Sequence, residues 1–539
     1  MTETQKRVAK VWAEVLPSRT ARMFAPESNF FEEGGHSILA QQMLFKVRRE
    51  WRDIDVPMSA IFQSQTLGEF ASEIDRALDP TGLRLDVAPF TGYGANAEDE
   101  AYAADARDLA KKLPEKIPAA EAQNGGSPET VLLTGATGFL GSYILRELLE
   151  RGHCVIAHVR AKDAAAGLER IETIARAYGI WSDEWRERLE AVTGDIAKPH
   201  LGVRDADWAR LARDVDFIVH NGAQVNWMLP YSSLRAANTL STLDCVALAA
   251  EGGRPKRLAF VSSTSTLDTD HYVQLSRESV AAGGNGVTED DDLEGSRKGL
   301  GTGYGQSKWA SEYLVREAGR RGLSGTVVRP GYVSGDPVRG TTITDDFLVR
   351  FWKGCLQLGA RPDITNSLNQ VPVTEVARVV VAAALHPPCT PLGVAQVTSH
   401  PRLTINGWLG ALEEYGYDVP RVPYEDWRAR LRAYVEEGKG EEHALLPLFH
   451  LVAGDLPANA VAPELDDSNA ERALEGLGEG GKQAARAVGL ETVGVYLAYL
   501  VATGFLERPA RKGARELPAL ELSGEKRAAL EKIGGRGGK

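Results

Sequence analysis

The sequence predicts a small all-α bundle, then an α/β domain built on a parallel, doubly wound sheet, and then a mostly helical C-terminal subdomain. Apolar residues recur at helical spacing over about the first eighty residues. From about residue 130, short apolar runs such as VLLTG, DFIVHNGA and GTVVRPGYVSG alternate with helical stretches. After about residue 399 these runs fade and helical stretches remain. Alternation of short strands with helices is typical of a parallel sheet covered on both faces.

The spacing of these patterns divides the chain into four parts. Residues 1–79 form the predicted bundle, in which Val8, Val11, Trp12 and Val15 mark one helical face. Residues 80–129 are rich in Pro, Gly, Ala and Asp, which indicates a linker with one helix in it. Residues 130–399 carry the alternating strands and helices, and residues 400–539 form the C-terminal subdomain and tail.

The composition is that of an ordinary globular protein. The 539 residues exceed what one hydrophobic core organises, 43% of them are hydrophobic and 25% are charged. The formal net charge of -12 argues against a nucleic-acid partner, because binding a phosphate backbone requires a basic face.

Cysteine usage and hydropathy predict a soluble, cytoplasmic protein. Cys154, Cys245, Cys355 and Cys389 lie far apart and form no CxxC pair, so neither a metal site nor a disulfide framework is expected. The start, MTETQKRVAKVWAEVLP, contains no apolar leader segment. No later run is long and charge-free enough to span a bilayer, so no membrane partner is expected.

A glycine motif, TGATGFLG, follows the first strand of the α/β region and opens a helix. In this position Gly135 permits a tight turn, Gly138 lets a pyrophosphate approach the backbone, and Gly141 allows the helix to pack closely. The helix N-terminus adds free N–H groups and partial positive charge. The motif predicts a Rossmann-type dinucleotide site, and the neighbouring residues Thr134, Phe139 and Leu140 are assigned to it as well.

Further cofactor contacts are expected at the ends of the following strands. Arg160 and Lys162 stand where an NAD-specific site usually carries an acidic residue, and two cations there favour the 2′-phosphate of NADPH. The alternative is a solvated charged turn. Asp195 would lie near the adenine, although an aspartate at a strand end is often only a cap. The predicted cofactor-binding set also contains Ile196, Asn221, Gly222 and Ala223.

The candidate catalytic residues are Thr264, Tyr304 and Lys308. Tyr304 and Lys308 are four residues apart and share one helical face, so the ammonium is expected to lower the phenol pKa from about 10. Thr264, at the end of the fifth strand, could hydrogen-bond a substrate carbonyl oxygen. A YxxxK spacing alone is usually an exposed helical face. The preceding glycine motif and the SST strand end favour the catalytic interpretation.

Ser37, in FFEEGGHSILA, is the candidate attachment point for a 4′-phosphopantetheine arm. A phosphodiester on Ser37 would lie at the N-terminus of the following helix and be stabilised by its dipole. The alternative is an ordinary helix-capping serine. The paired glycines and the preceding FF favour attachment.

The chain resembles the carrier and thioester-reductase portion of carboxylic acid reductases and nonribosomal-synthetase-like enzymes, most of all fungal alpha-aminoadipate reductases. Segments such as FFEEGGHSILA, LLTGATGFLGSYIL, HNGAQVNWMLPYSSLR and GTGYGQSKWASEYLVREA carry the likeness, which covers nearly the whole chain. It implies that Ser37 bears the phosphopantetheine and that Thr264, Tyr304 and Lys308 form the triad of extended short-chain dehydrogenases. It also implies that Pro330 and Gly331 border the nicotinamide of NADPH.

The resemblance implies reductive release of an acyl thioester as a free aldehyde, with alpha-aminoadipyl as the leading acyl group and its semialdehyde, a lysine-biosynthesis intermediate, as the product. Its partners would be the carrier-bound acyl group, a phosphopantetheinyl transferase and an adenylation domain. This sequence has no counterpart of the adenylation domain, so either it is an excised piece or another protein activates the acid. The alternatives are another acyl group, reduction on to the alcohol, an epimerase-like enzyme, or a binding module without redox activity.

Overall fold

The computed structural model describes residues 1–16, 24–30, 33, 37–51, 54, 56, 60–61, 64–78, 101–120, 128–226, 229–434, 443–452, 456–459, 461–480 and 486–533. The strands are β1 (Thr130–Thr134), β2 (Cys154–Val159), β3 (Leu189–Thr193), β4 (Phe217–His220), β5 (Arg257–Val261), β6 (Gly325–Pro330), β7 (Tyr332–Ser334), β8 (Arg361–Pro362), β9 (Ser367–Leu368), β10 (Gln370–Pro372), β11 (Leu392–Val397), β12 (Leu403–Thr404) and β13 (Arg421–Val422).

The α-helices follow the order that the sequence predicts. They are α1 (Glu3–Val15), α2 (Ser37–Glu50), α3 (Leu67–Leu78), α4 (Ala101–Ala110), α5 (Phe139–Glu150), α6 (Ala164–Tyr178), α7 (Asp205–Asp214), α8 (Tyr231–Arg235), α9 (Ser241–Ala250), α10 (Asp270–Ala281), α11 (Gly303–Arg320), α12 (Phe347–Leu358), α13 (Val373–Leu385), α14 (Ile405–Glu414), α15 (Tyr424–Tyr434), α16 (Phe449–Val452), α17 (Leu456–Asn459), α18 (Ser468–Gly476), α19 (Leu490–Ala502) and α20 (Gly524–Ile533). Among the described residues, no helix is long and apolar enough to cross a membrane.

Helices α1 to α3 enclose a small apolar core at the N-terminal end. Trp12 is fully buried in it, with the rings of Phe24 and Phe30 at 5.5 and 5.2 Å in edge-to-face contact. Thr2 caps α1 and forms a capping box with Gln5, which fixes where the first helix begins. This bundle is the carrier part of the predicted fold.

The central sheet has seven strands in the order β11-β6-β5-β4-β1-β2-β3, and all neighbouring pairs are parallel. Helices α5, α6 and α13 cover one face, while α7, α9 and α11 cover the other. The chain winds outward from β1 to β3 and returns at β4, on the other side of β1. The crevice between the ends of β1 and β4 is therefore the switch point where such sheets bind ligands.

Helix α4, predicted as part of a linker, packs on the α/β domain. Tyr102 is buried and its hydroxyl donates to the Ser296 carbonyl at 2.6 Å, while Asp105 accepts hydrogen bonds from Tyr231 and Arg235. The low-complexity stretch before α4 has no periodic pattern, so this docking cannot be predicted from local sequence. Residues 80–100 and 121–127 of the predicted linker lie outside the described residues.

The C-terminal region does not form a core separate from residues 130–399. Helix α12 contributes Phe351 and Trp352 to the C-terminal apolar core. In the other direction, α18 packs Ala470 and Ala473 against α13 and the sheet. The predicted division at residue 399 therefore marks a change of sequence pattern and does not separate two independently packed units.

Candidate active site

The glycine loop lies at the switch point of the sheet. Gly135 has a φ of +74°, a conformation that favours glycine, and a Cβ on Gly141 would overlap the Gly135 carbonyl. Gly138 is the N-cap of α5, and no side chain caps that helix. Its first-turn N–H groups therefore face the crevice with a partial positive charge, as a pyrophosphate site requires.

Residues at the end of β4 hold this loop in place. The Thr134 hydroxyl accepts the Gly222 N–H at 2.8 Å and contacts Nδ1 of His220 at 2.8 Å. The Asn221 amide donates to the Gly135 carbonyl at 3.5 Å. Thr134 is fully buried, so its role is to shape the loop, whereas Asn221 and Ala223 remain partly exposed at the crevice.

The two predicted phosphate-binding cations follow β2 and face solvent. Arg160 and Lys162 are exposed, and neither forms an ion pair within the described part of the chain. At the end of β3, Asp195 accepts the Ala197 N–H at 3.1 Å, and Ile196 packs partly buried against the core. The Asp195 contact closes a local turn and leaves the second carboxylate oxygen available.

Tyr304 and Lys308 lie on one face of α11, and Thr302 caps this helix by accepting the Gly305 N–H. The Lys308 ammonium donates to the Val261 carbonyl at 2.7 Å and lies 6.0 Å from the centre of the Tyr304 ring. Desolvation lowers the pKa of Lys308 to about 7 and raises the pKa of Tyr304 to about 12.

The expected lowering of the Tyr304 pKa by Lys308 is therefore wrong for this site. Burial of the phenol outweighs the ammonium, which is directed to the end of β5 instead. The phenol is protonated at neutral pH and can donate a hydrogen bond to a developing oxyanion.

Sequence reasoning missed Ser263, the residue that hydrogen-bonds the Tyr304 phenol and partly opposes the rise of its pKa. Ser263 also accepts the Ser265 N–H at 3.1 Å and caps the 3-10 turn Thr264–Leu267. Thr264 is the next residue, partly exposed at the same strand end. The SST motif marked this position but could not tell which of its hydroxyl groups faces the phenol.

A buried ion pair joins the elements that carry these groups. Glu312, two turns beyond Tyr304 on α11, is fully buried and accepts hydrogen bonds from Arg329 on β6 and from the Ser262 hydroxyl. Arg329 is also fully buried and precedes Pro330 and Gly331. Gly331 donates to the Val397 carbonyl at 2.9 Å, which places both predicted nicotinamide neighbours at the carboxyl end of the sheet.

The apolar core of α1 to α3 contacts the α/β domain at Leu229, whose side chain packs against it. A Cβ on Gly303, the residue before Tyr304, would overlap the Leu229 carbonyl. The carrier therefore lies beside the start of α11. Ser37 begins α2 on the carrier, but its side chain and Gly34, Gly35 and His36 lie outside the described residues.

Two family models match the chain. Residues 6–74 match the phosphopantetheine attachment site, and residues 133–380 match the male sterility protein family of NAD-binding domains. The first match indicates 4′-phosphopantetheine and the second a nicotinamide cofactor. The uncapped glycine loop fits the second group, since its shape excludes side chains and its N–H groups face the crevice.

Among curated proteins, the L-2-aminoadipate reductase large subunit of Penicillium chrysogenum is 53% identical over 100% of this chain and 39% of its own length. The L-2-aminoadipate reductase of Saccharomyces cerevisiae is 44% identical over 97% of this chain and 38% of its own length. The chain thus spans about two fifths of the length of these relatives.

Among solved structures, the terminal R domain from a myxalamid synthetase pathway is 32% identical, with a TM-score of 0.65 over 76% of this chain and 99% of that domain. A thiolation-reductase di-domain from an archaeal nonribosomal peptide synthetase covers 94% of this chain with a TM-score of 0.64. At 18% identity the di-domain shows a shared fold alone. The chain belongs to the family of terminal reductase domains of nonribosomal peptide synthetases, and it carries a phosphopantetheine carrier domain ahead of the reductase.

Proposed function

We propose that this chain uses NADPH to reduce an acyl thioester carried on Ser37 and releases the acyl group as a free aldehyde. The observation that carries this proposal is the position of the carrier core against Leu229, next to the helix that starts with Gly303 and Tyr304. We expect an arm attached to the carrier to reach the phenol from this side. In this arrangement the cofactor bound at the glycine loop and the thioester on the arm meet at Tyr304 in one crevice.

The cofactor is held by the glycine loop and by the strand ends around it. The N–H groups of α5 bind the pyrophosphate, and Arg160 and Lys162 select the 2′-phosphate of NADPH because no carboxylate of the described chain neutralises them. Lys308 holds the nicotinamide ribose. When bound, the nicotinamide supplies a hydride to the thioester carbon.

Tyr304 donates its phenolic hydrogen bond to the carbonyl oxygen of the thioester, and a hydroxyl at the end of β5, from Ser263 or Thr264, provides the second. These donors stabilise the oxyanion that forms when the carbon gains the hydride. The carbon–sulfur bond then breaks and the oxyanion becomes the aldehyde carbonyl. The thiolate of the arm takes up a proton, so each turnover consumes one NADPH and one proton.

The acyl group we assign is alpha-aminoadipyl, released as alpha-aminoadipate semialdehyde in lysine biosynthesis. The support is the name of the relatives and their identity of 53% and 44% across almost the whole chain. Because those relatives are longer, we assign activation of the acid to an adenylation domain and loading of Ser37 to a phosphopantetheinyl transferase.

The test is to load Ser37 with aminoadipyl-phosphopantetheine and to follow oxidation of NADPH or NADH while the product is identified by mass spectrometry. A Ser37→Ala chain treated identically is the control. We expect semialdehyde from the loaded chain, faster with NADPH, and none from the control. Formation of the alcohol, or no oxidation of either cofactor, would contradict the proposal.

A further inference from the structure

A small, partly open pocket lies next to the predicted nicotinamide position. Its walls include Phe139 of the cofactor loop, Tyr332 just after Gly331, and Trp408 and Tyr496 of the C-terminal region. The pocket therefore lies between the cofactor site and the C-terminal helices, where the acyl chain of a bound thioester would extend.

Gln370, on β10, lines this pocket with an unused amide. Its side chain is 1% exposed, and neither its oxygen nor its nitrogen makes a hydrogen bond within the described structure. Leaving a buried polar group unpaired costs stability, so such a group calls for an explanation. β10 is held in register by β7, where Gln370 is paired with Tyr332, so the amide is fixed beside the cofactor strand end.

Two other polar groups line the pocket, of which Trp408 has an unpaired donor and Asp346 caps the helix that begins at Phe347. The indole N–H of Trp408 is also buried without a partner, although its ring is held by stacking on Trp352 at 4.0 Å. Asp346 accepts hydrogen bonds from the Tyr332 hydroxyl at 2.6 Å and from the Leu348 N–H at 2.9 Å, and it forms no ion pair with a described residue. Burial raises the pKa of Asp346 to about 6.

These groups supply both hydrogen-bond donors and acceptors to the pocket. The Gln370 oxygen and the Asp346 carboxylate can accept from an ammonium group. The Gln370 nitrogen and the Trp408 indole can donate to a carboxylate. A ligand end that carries both an ammonium and a carboxylate satisfies all of them, whereas a hydrocarbon end leaves the amide unpaired.

Building on the proposed function, we infer that this pocket binds the free amino-acid end of the acyl chain and that Gln370, with Trp408 and Asp346, selects substrates that carry it. The thioester at the other end of the chain then lies at Tyr304. Selection works by the penalty on the wrong substrate: an acyl chain without the amino-acid end would bury the Gln370 amide against methylene groups.

The test compares two pantetheine thioesters as substrates of the full chain: aminoadipyl-pantetheine, joined through the side-chain carboxyl, and hexanoyl-pantetheine. The measured quantity is the ratio of their kcat/KM values with NADPH. We expect the unchanged chain to prefer aminoadipyl by at least roughly a hundredfold, and Gln370→Met to reduce that preference by at least roughly tenfold. Trp408→Phe, which keeps the aromatic stack but removes the indole N–H, should also reduce the preference for aminoadipyl.

Val371→Ala is the matched control, since Val371 is the next residue on β10 and is fully buried in the core of the sheet. It should lower thermal stability and leave the preference unchanged. If Gln370→Met and Trp408→Phe slow both thioesters equally, or leave the preference intact, the inference is overturned. If the unchanged chain reduces neither thioester, the proposed function itself is contradicted, so the two failures are distinguishable.

Discussion

The two halves of helix α11 differ in whether their buried ionisable groups are paired with an opposite charge. At its N-terminal end, Tyr304 and Lys308 are buried and form no ion pair with a described residue, and burial moves their pKa values to about 12 and about 7. The Glu312 carboxylate, one turn from Lys308, opposes the fall of the Lys308 pKa only in part. Two turns from Tyr304, the equally buried Glu312 is paired with Arg329 and hydrogen-bonded to Ser262, and its pKa falls to about 2. Pairing fixes charge in place, whereas isolation leaves a group ready to respond to a ligand.

The comparison explains why Tyr304 and Lys308 suit a catalytic role, whereas Glu312 suits a structural one. The Glu312 carboxylate joins α11 to β6 and to the loop after β5, so it holds in register the three elements that end at the candidate site. Lys308 donates one hydrogen bond to the Val261 carbonyl, which leaves its other protons available for a ligand.

The largest effect should follow loss of the phenol. Tyr304→Phe should lower kcat for thioester reduction by roughly 10²–10⁴-fold, because it removes one oxyanion donor, while NADPH binding is preserved. Steady-state kinetics and cofactor titration measure the two quantities. Tyr313→Phe, on the same helix and stacked on Trp309, is the control and should leave kcat unchanged. Equal activity of Tyr304→Phe and Tyr313→Phe would remove Tyr304 from the site.

Substitution of Glu312, in the second half of α11, should lower the stability of the fold. Glu312→Gln leaves Arg329 buried without a counter-charge and should lower the free energy of unfolding by about 3–5 kcal/mol. Glu317→Gln is the matched variant, because Glu317 pairs with Arg320 and Arg321 near the surface and should cost less than about 1 kcal/mol. Urea titrations of the two variants decide the point, and similar losses would show that the buried pair has no special role.

The Glu312–Arg329 ion pair should make the free energy of unfolding depend on pH. The folded-state pKa of Glu312 lies below its ordinary value of 4.5, so the ionised form stabilises the fold above that pH. This contribution should be lost as the pH falls from about 4.5 towards about 2. The difference in unfolding free energy between the unchanged chain and Glu312→Gln should therefore shrink on acidification over this range, and a constant difference would argue against the assignment.

Two glycines of the glycine loop should differ in whether their substitution lowers stability or cofactor affinity. Gly141→Ala should cost about 1–3 kcal/mol of stability and also weaken NADPH binding, because its Cβ overlaps the Gly135 carbonyl. Gly138→Ala meets the same oxygen at 3.2 Å with an ordinary φ of -81°, so it should fold and lose mainly cofactor affinity. Thermal melts with and without NADPH separate these outcomes, and equal melting temperatures of the two apo variants would contradict them.

The smallest effect is expected at the solvent-facing cations. Arg160→Ala should weaken NADPH binding by roughly tenfold and leave NADH binding unchanged, since the lost contact is to the 2′-phosphate. Lys162→Ala should act in the same direction. Arg204→Ala, an exposed arginine paired with Asp207, is the control. A parallel loss of affinity for both cofactors would mean that Arg160 does not read the 2′-phosphate.

The carrier bundle and the doubly wound sheet could be predicted because both follow from local periodicity and from short motifs. The glycine loop was recognisable because its residues are contiguous in the chain. Ser263 was missed because the side chain that faces Tyr304 depends on the turn after β5, which only the packed structure fixes. The docking of α4 and the exchange of α12 and α18 between cores depend on contacts across hundreds of residues.

The sequence by itself determined the order of elements, the glycine loop, the YxxxK pair and the candidate attachment serine, because periodicity and spacing act within a few turns of chain. Tertiary structure decided the pKa values of Tyr304 and Lys308, since desolvation by distant elements outweighs a charge one turn away. It also decided that Gln370, unremarkable in the sequence, is buried with its amide unpaired beside the cofactor strand end. Burial is a property of the whole fold, and no local pattern encodes it.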